Sequence, residues 1–170
     1  MTKPALIVID IQNDYFADGA YPLWNADVIL EKIEAAITRA RAKGIPVVLV
    51  QHIAASKGSP LFDAGTRGVE IHPRILAAAT GAPIVTKAFA DSFHQTQLEA
   101  TLSELGVDEI LLCGMMTQNC VTHTALSKAA AKYAVKVLPD CCTTIDKMIH
   151  GFAVSALRTS VPLIDSAEVL

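Results

Sequence analysis

Residues 5–10 read ALIVID, five apolar side chains closed by a carboxylate. A short run without alternation, rich in β-branched residues, fits a strand buried on both faces, as in parallel sheets covered by helices on either side. A polar and aromatic stretch follows and closes on Asn25, placed to cap a helix running to about Lys43. That helix carries Val28, Ile29, Ile33 and Ile37 on one side and charges on the other, and Gly44 ends it. Residues 45–51 (IPVVLVQ) supply a second buried strand, and strand–helix–strand predicts a parallel pair.

The alternation continues to the end of the chain. A short helical segment near 75–79 precedes a strand at 84–87, and a helix at 96–105 stops at Gly106. A strand at 109–113 (EILLC), a turn at 114–119 and an Ala-dense helix at 120–133 come next. Strands at 135–138 and 162–164 flank a helix around 146–158. Six strand-like runs between helices predict an α/β fold, a doubly wound three-layer α/β/α sandwich on a mainly parallel, Rossmann-like sheet. No repeat, linker or low-complexity segment divides residues 1–170, so one domain is expected.

Composition excludes several functions. The net charge of −3 is spread without a basic stretch, which argues against a nucleic-acid surface. The first apolar run is broken at Asp10, too early for a signal peptide or a membrane span. Cys113, Cys120, Cys141 and Cys142 show neither CxxC nor zinc-ligand spacing, so free thiols in a reducing cytoplasm are expected.

In an open parallel sheet, ligands bind beyond the carboxyl ends of the strands where the strand order reverses. Asp10 ends the first strand, Lys87 the third, and Cys120 follows the fourth after a short turn. Each has a bland reading: a turn cap, a solvated lysine, an inert buried thiol. Together they form an acid, an amine and a sulfur converging on one edge. A helix start and a nearby lysine would both favour the Cys120 thiolate. Nothing after the first strand resembles a GxGxxG or P-loop, so a nucleotide site is not expected.

These residues resemble the isochorismatase-like cysteine hydrolase superfamily along nearly the whole chain. The resemblance is carried by ALIVIDIQNDYF from Ala5, GTRGVEIHP at 65–73 and VTKAFADSFHQTQL at 85–98. It is strongest in CGMMTQNCVTHTA at 113–125 and continues through PDCCTTID. It implies a catalytic triad of Asp10, Lys87 and Cys120, a cis peptide between Met115 and Met116, and an oxyanion hole from the backbone amides of Met116 and Cys120. Members that cleave the vinyl ether of isochorismate lack the cysteine, so its presence implies C–N hydrolysis of a small amide or carbamoyl compound through a thioester.

Nicotinamidases of the superfamily hold a metal through an Asp-x-His step after the second strand. Here that region reads Gln51-His52-Ile53-Ala54, so no metal or other cofactor is expected. His52 is read as a hydrogen-bonding pocket group and His72 as structural. Tyr15, Phe16, Trp24, His52, Phe89, Gln118 and Asn119 are the candidate substrate pocket. Phe62 and Phe93 lie near it, and at least half of these aromatics are expected to plug the core. Gln118 and Asn119 have a second reading as helix caps. Two other classes remain open on sequence: a non-catalytic binding protein, and a thiol redox sensor pairing Cys120 with Cys113 or the Cys141–Cys142 pair. Relatives generally assemble, and an Ala-rich helix at 124–134 would pack closely on a partner, so a homo-oligomer, dimer or tetramer, is expected.

Overall fold

The structure, a computed structural model, describes residues 2–170. Five strands form one parallel sheet: β1 (Pro4–Ile9), β2 (Val47–His52), β3 (Ile84–Lys87), β4 (Glu109–Met115) and β5 (Ala134–Thr143), in the order β3-β2-β1-β4-β5. The central strand is the ALIVID run, and Ala5 to Ile9 expose 1% of their surface or less. Each such Leu or Ile contributes roughly 1.5–3 kcal/mol by leaving water. Helices α1 (Ala26–Ala42) and α2 (Pro73–Ala78) pack together, and α1 buries Ile29, Leu30, Ile33 and Ile37. The chain winds outward from β1 to β3 and then returns to β4, so right-handed crossovers put α3 (Leu98–Leu105) on the opposite face. The strand order reverses between β1 and β4, which locates the crevice.

Several sequence expectations are corrected. The sheet has five strands, not six: residues 162–164 contribute only the single bridge Val137–Leu163. Pro162 has no N–H for a ladder, and Asp165 already turns the chain by capping α6 (Ser166–Val169) through the Ala167 N–H. The strand expected at 135–138 runs on to Thr143, because a bulge opposite Leu112–Gly114 absorbs Pro139. The Ala-dense helix expected at 120–133 is broken into a π-helical turn (Thr117–Val121), α4 (Thr122–Ala125) and a 3-10 turn (Ala129–Lys132). Thr124 is held by tertiary bonds, accepting from the Ser92 N–H and donating to the Ser92 hydroxyl. Ser127 then starts a new turn by accepting the Ala129 N–H. No long Ala-rich face is left for a partner. Asn25 does not cap α1 with its side chain; it sits at φ 52, in the left-handed region. The other helices lie close to expectation, including α5 (Lys147–Leu157), capped by Asp146.

The long irregular stretch between β2 and α2 is tied to the sheet by buried polar side chains. The Gln12 amide donates to the His52 and Val69 carbonyls and accepts the His52 N–H. The Asp14 carboxylate accepts the Phe62 N–H at 2.7 Å, and Gln12 bridges Ile71 through the backbone.

Candidate active site

Three strand ends and one turn build the site. Asp10 follows β1 with φ 54, a left-handed turn that ends the strand and leaves its carboxylate fully buried. Lys87 ends β3, the edge strand, and pairs in register with His52 at the end of β2. Its side chain must therefore pass over β2 to reach Asp10. Cys120 lies in the π-helical turn beyond β4, which begins after a cis Met115–Met116 peptide bond. The Met116 carbonyl closes this turn by accepting the Asn119 and Val121 N–H groups.

Gly114 makes the approach of β4 to β1 possible. Its φ is 127, and a Cβ there would lie 2.1 Å from the Ile9 carbonyl oxygen. Gly114→Ala is expected to destabilise the fold by about 2 kcal/mol or more, from the forbidden backbone region and the clash together. Denaturant unfolding checks it, and an unchanged midpoint would contradict the close approach.

The acid, amine and sulfur converge. Lys87 Nζ lies 2.8 Å from Asp10 Oδ2 and 3.2 Å from Cys120 Sγ, with the lysine and aspartate side chains wholly shielded from solvent. Cys120 keeps 3% of its surface exposed. The Asp10 contact is ionic: neither carboxylate oxygen has a well-directed hydrogen-bond partner. Burial opposes the Lys87 ammonium, but Asp10 and Cys120 outweigh it and hold the pKa above that of an ordinary lysine.

The thiolate expectation is reversed. Burial first, and then Asp10, push the Cys120 thiol up to about 12, against the pull of Lys87. The sulfur does not sit in the first turn of a long helix, so no summed helix dipole offsets burial. The resting group is a thiol. The native thiol thus keeps its proton where an unfolded cysteine, near 9.0, has lost it, so this group lowers stability as pH rises above about 9. By the same sign, alkylation of Cys120 by iodoacetamide should climb about tenfold per pH unit through pH 10 without levelling. A plateau near pH 9 would mean an ordinary thiol.

The pocket residues divide. Tyr15 is buried edge-on against Phe62, and burial, Asp10 and Cys120 raise its phenol above the usual range, so it belongs beside the triad. His52 Nδ1 lies 2.9 Å from Lys87 Nζ. Phe89 serves through its backbone: its carbonyl accepts from Lys87 at 3.1 Å, while its ring is exposed against His94. Sequence reading missed this role, since every residue carries a carbonyl and no side-chain type signals it.

Phe16 is a correction. It packs on His72 and lines a separate cavity of about 250 Å³ with Asp14 and Arg67, because the bridge of Gln12 to Ile71 turns that loop away from the triad. Trp24 packs on His150, whose Nδ1 meets the Thr117 hydroxyl behind the turn. Asn119 acts through its backbone within the turn, and Gln118 has a buried Oε1 without a partner. Phe62 and Phe93 are core, as expected of part of this set.

A metal does not fit. Ligand atoms of Asp10, His52 and Cys120 lie within 4.8 Å of one another. The Lys87 ammonium already stands between them, at 2.8, 2.9 and 3.2 Å. His72 is elsewhere, with Nδ1 accepting the Arg74 N–H at the start of α2, the structural role expected of it.

Comparison with known proteins places the chain. The isochorismatase domain family matches residues 4–168. The isochorismatase family protein YddQ of Bacillus subtilis is 37% identical over 152 residues, 89% of this chain and 84% of that protein. The secreted isochorismatase effector Isc1 of Verticillium dahliae is 33% identical over 96% of this chain and 83% of its own. The structure of an isochorismatase family protein from Desulfovibrio vulgaris superposes with a TM-score of 0.88 at 26% identity, covering 98% of this chain and 96% of that one. Relatives also include Nicotinamidase 3 of Arabidopsis thaliana and the ureidoacrylate amidohydrolase RutB of Yersinia enterocolitica, each 29% identical; the matches cover 86% and 80% of this chain, and 76% and 73% of those proteins. Family match, relatives and shared architecture agree: the chain belongs to the isochorismatase family.

Proposed function

We propose that the protein is a cysteine-dependent hydrolase that cleaves a C–N bond, of amide or carbamoyl type, in a small molecule. The observation that carries this reading is the single lysine nitrogen within 3.2 Å of both the Asp10 carboxylate and the Cys120 sulfur. Relatives named for nicotinamide and ureidoacrylate hydrolysis support the bond class.

The resting thiol suits a mechanism in which the proton leaves during attack. Asp10 takes the Cys120 proton as the sulfur bonds to the substrate carbonyl carbon. The carbonyl oxygen becomes an oxyanion, held by the Met116 and Cys120 amides, each worth about 3 kcal/mol in such sites. Asp10 then passes its proton to the leaving nitrogen, the C–N bond breaks and a thioester remains. Asp10 next deprotonates a water that attacks the thioester carbon. The C–S bond breaks, the sulfur recovers a proton and the acid departs. Lys87 keeps the carboxylate and sulfur in register throughout.

All four cysteines are free and buried, which supports a reducing compartment, and we place the protein in the cytoplasm. Among the described residues no helix is long and apolar enough to cross a membrane. Exposed Met148 and Phe152 on α5 support self-association into a homo-oligomer.

The test is a screen of small amides, ureas and carbamoyl compounds for ammonia release. Acid quenching during turnover should trap a Cys120 acyl adduct visible by mass spectrometry. Ammonia release without any adduct, undiminished when Cys120 is replaced, would refute the covalent route.

A further inference from the structure

Thr117 opens the turn that carries Cys120 and is wholly shielded from solvent. A buried hydroxyl needs a partner, and here the partner is Nδ1 of His150, at 2.9 Å. Other bonds of the turn are local. The Met116 carbonyl accepts from the Asn119 and Val121 N–H groups, and the Thr117 carbonyl accepts the Thr122 hydroxyl at 2.7 Å. Among the described residues, two side-chain hydrogen bonds tie residues 116–121 to elements distant in sequence: Lys87 with Cys120 Sγ, and His150 with Thr117. The first holds the sulfur. The second holds the residue that follows the Met116 amide.

The register of α5 puts His150 there. Asp146 caps the helix by accepting the Ile149 N–H, and His150, Ala153 and Leu157 then fall on one stripe, with Ala153 and Leu157 buried. The helix packs against the turn. Trp24 lies beside the imidazole with 6.1 Å between ring centroids, and its own backbone is pinned to the end of β5. The Trp24 N–H donates to the Thr144 carbonyl, and the Trp24 carbonyl accepts the Thr143 hydroxyl. Burial lowers the pKa of His150, so the ring is neutral at pH 7 and can share one hydrogen bond with the hydroxyl in either direction.

We propose that His150 is a positioning residue for the oxyanion-binding turn: through the Thr117 hydroxyl it fixes where the Met116 and Cys120 N–H groups point. This rests on the cysteine-hydrolase reading, which assigns those two amides to the oxyanion. Such donors work by standing where charge will develop, and a misplacement of about 1 Å can cost on the order of 10²-fold. Without the tie to α5, Thr117 loses its anchor and the amide before it is free to swing. The sulfur stays held by Lys87. The loss should therefore fall on reactions that develop an oxyanion and spare those that do not.

Two reagents separate these cases at pH 8 in the full chain, with a Cys120→Ala protein subtracting reaction at other groups. p-Nitrophenyl acetate acylates the sulfur: Asp10 takes the thiol proton, the C–S bond forms through an oxyanion, and the ester C–O bond breaks to release nitrophenolate. Iodoacetamide alkylates the same sulfur by displacing iodide, with no oxyanion. Both need the same thiol proton removed, so the ratio of their rates isolates the two amides. His150→Leu should slow acylation about tenfold or more and leave alkylation within about twofold. Thr117→Val removes the hydroxyl at the other end of the bond, should behave alike, and decides the matter if the leucine variant does not fold. His150→Asn keeps an amide near the Nδ1 position, able to bond in either direction, and should acylate near the wild-type rate. Equal changes in both rates, unchanged acylation in the leucine and valine variants, an equal loss in the asparagine variant, or a wild-type sulfur that p-nitrophenyl acetate does not acylate overturns the proposal. Neither reagent is the substrate, so such a failure leaves the hydrolase reading to the ammonia screen, and a failed screen leaves the ratio standing.

Discussion

Replacing Cys120 with Ala is expected to lower kcat on the order of 10³-fold or more, on any compound that the wild-type protein hydrolyses. Without sulfur no thioester forms, and only substrate binding and the amides of the turn remain to accelerate attack by water. The change removes one atom from a residue that is 3% exposed, so thermal stability should move little. Cys120→Ser is the sharper control. It keeps the shape, but a hydroxyl is far harder to deprotonate than a thiol, so a carboxylate base should not rescue it. Steady-state ammonia release with circular dichroism on the same samples reads both quantities. Near-normal turnover in a folded alanine variant would end the covalent mechanism.

Lys87→Met should damage both stability and activity. Removing one partner of a wholly shielded ion pair leaves the other charge stranded, a loss of about 3–5 kcal/mol. For a chain of this length that corresponds to a melting point lower by roughly 6–20 °C. Without the ammonium nothing holds Asp10 in register with Cys120, so activity should fall together with stability at neutral pH. A variant within 1 kcal/mol of wild type would show that no buried pair is being broken.

The sequence carried the acid, amine and sulfur because each lies at a strand end, and strand ends follow from hydrophobic runs bounded by turn residues. Asp10 after five apolar residues and Lys87 after a short β-branched run needed no long-range information. The π-helical turn did not show itself. Residues 120–133 have strong local helical preference, and only contacts made in the fold, such as Thr124 with Ser92, interrupt it. The state of the thiol was misjudged for a related reason: burial, which decides it, is a property of the packed molecule. Pocket side chains were the least legible. Phe16 lies one residue from Tyr15, yet it lines a cavity away from the triad while Tyr15 is buried against Phe62.

The moorings of residues 52–73 bear on how this scaffold can vary. Gln12 and Asp14 bind that stretch through its own peptide groups, at Val69 and Phe62, and constrain its side chains mainly at Gly68, where a Cβ would lie 2.0 Å from the Asp14 carboxylate. Apart from Gly68, Asp63 and Thr66, which help fix its path, the wall beside the reacting atoms can thus exchange its outward residues while that path stays put. Diversification toward new leaving groups would then proceed by repainting a stationary surface, with the chemistry beneath left untouched.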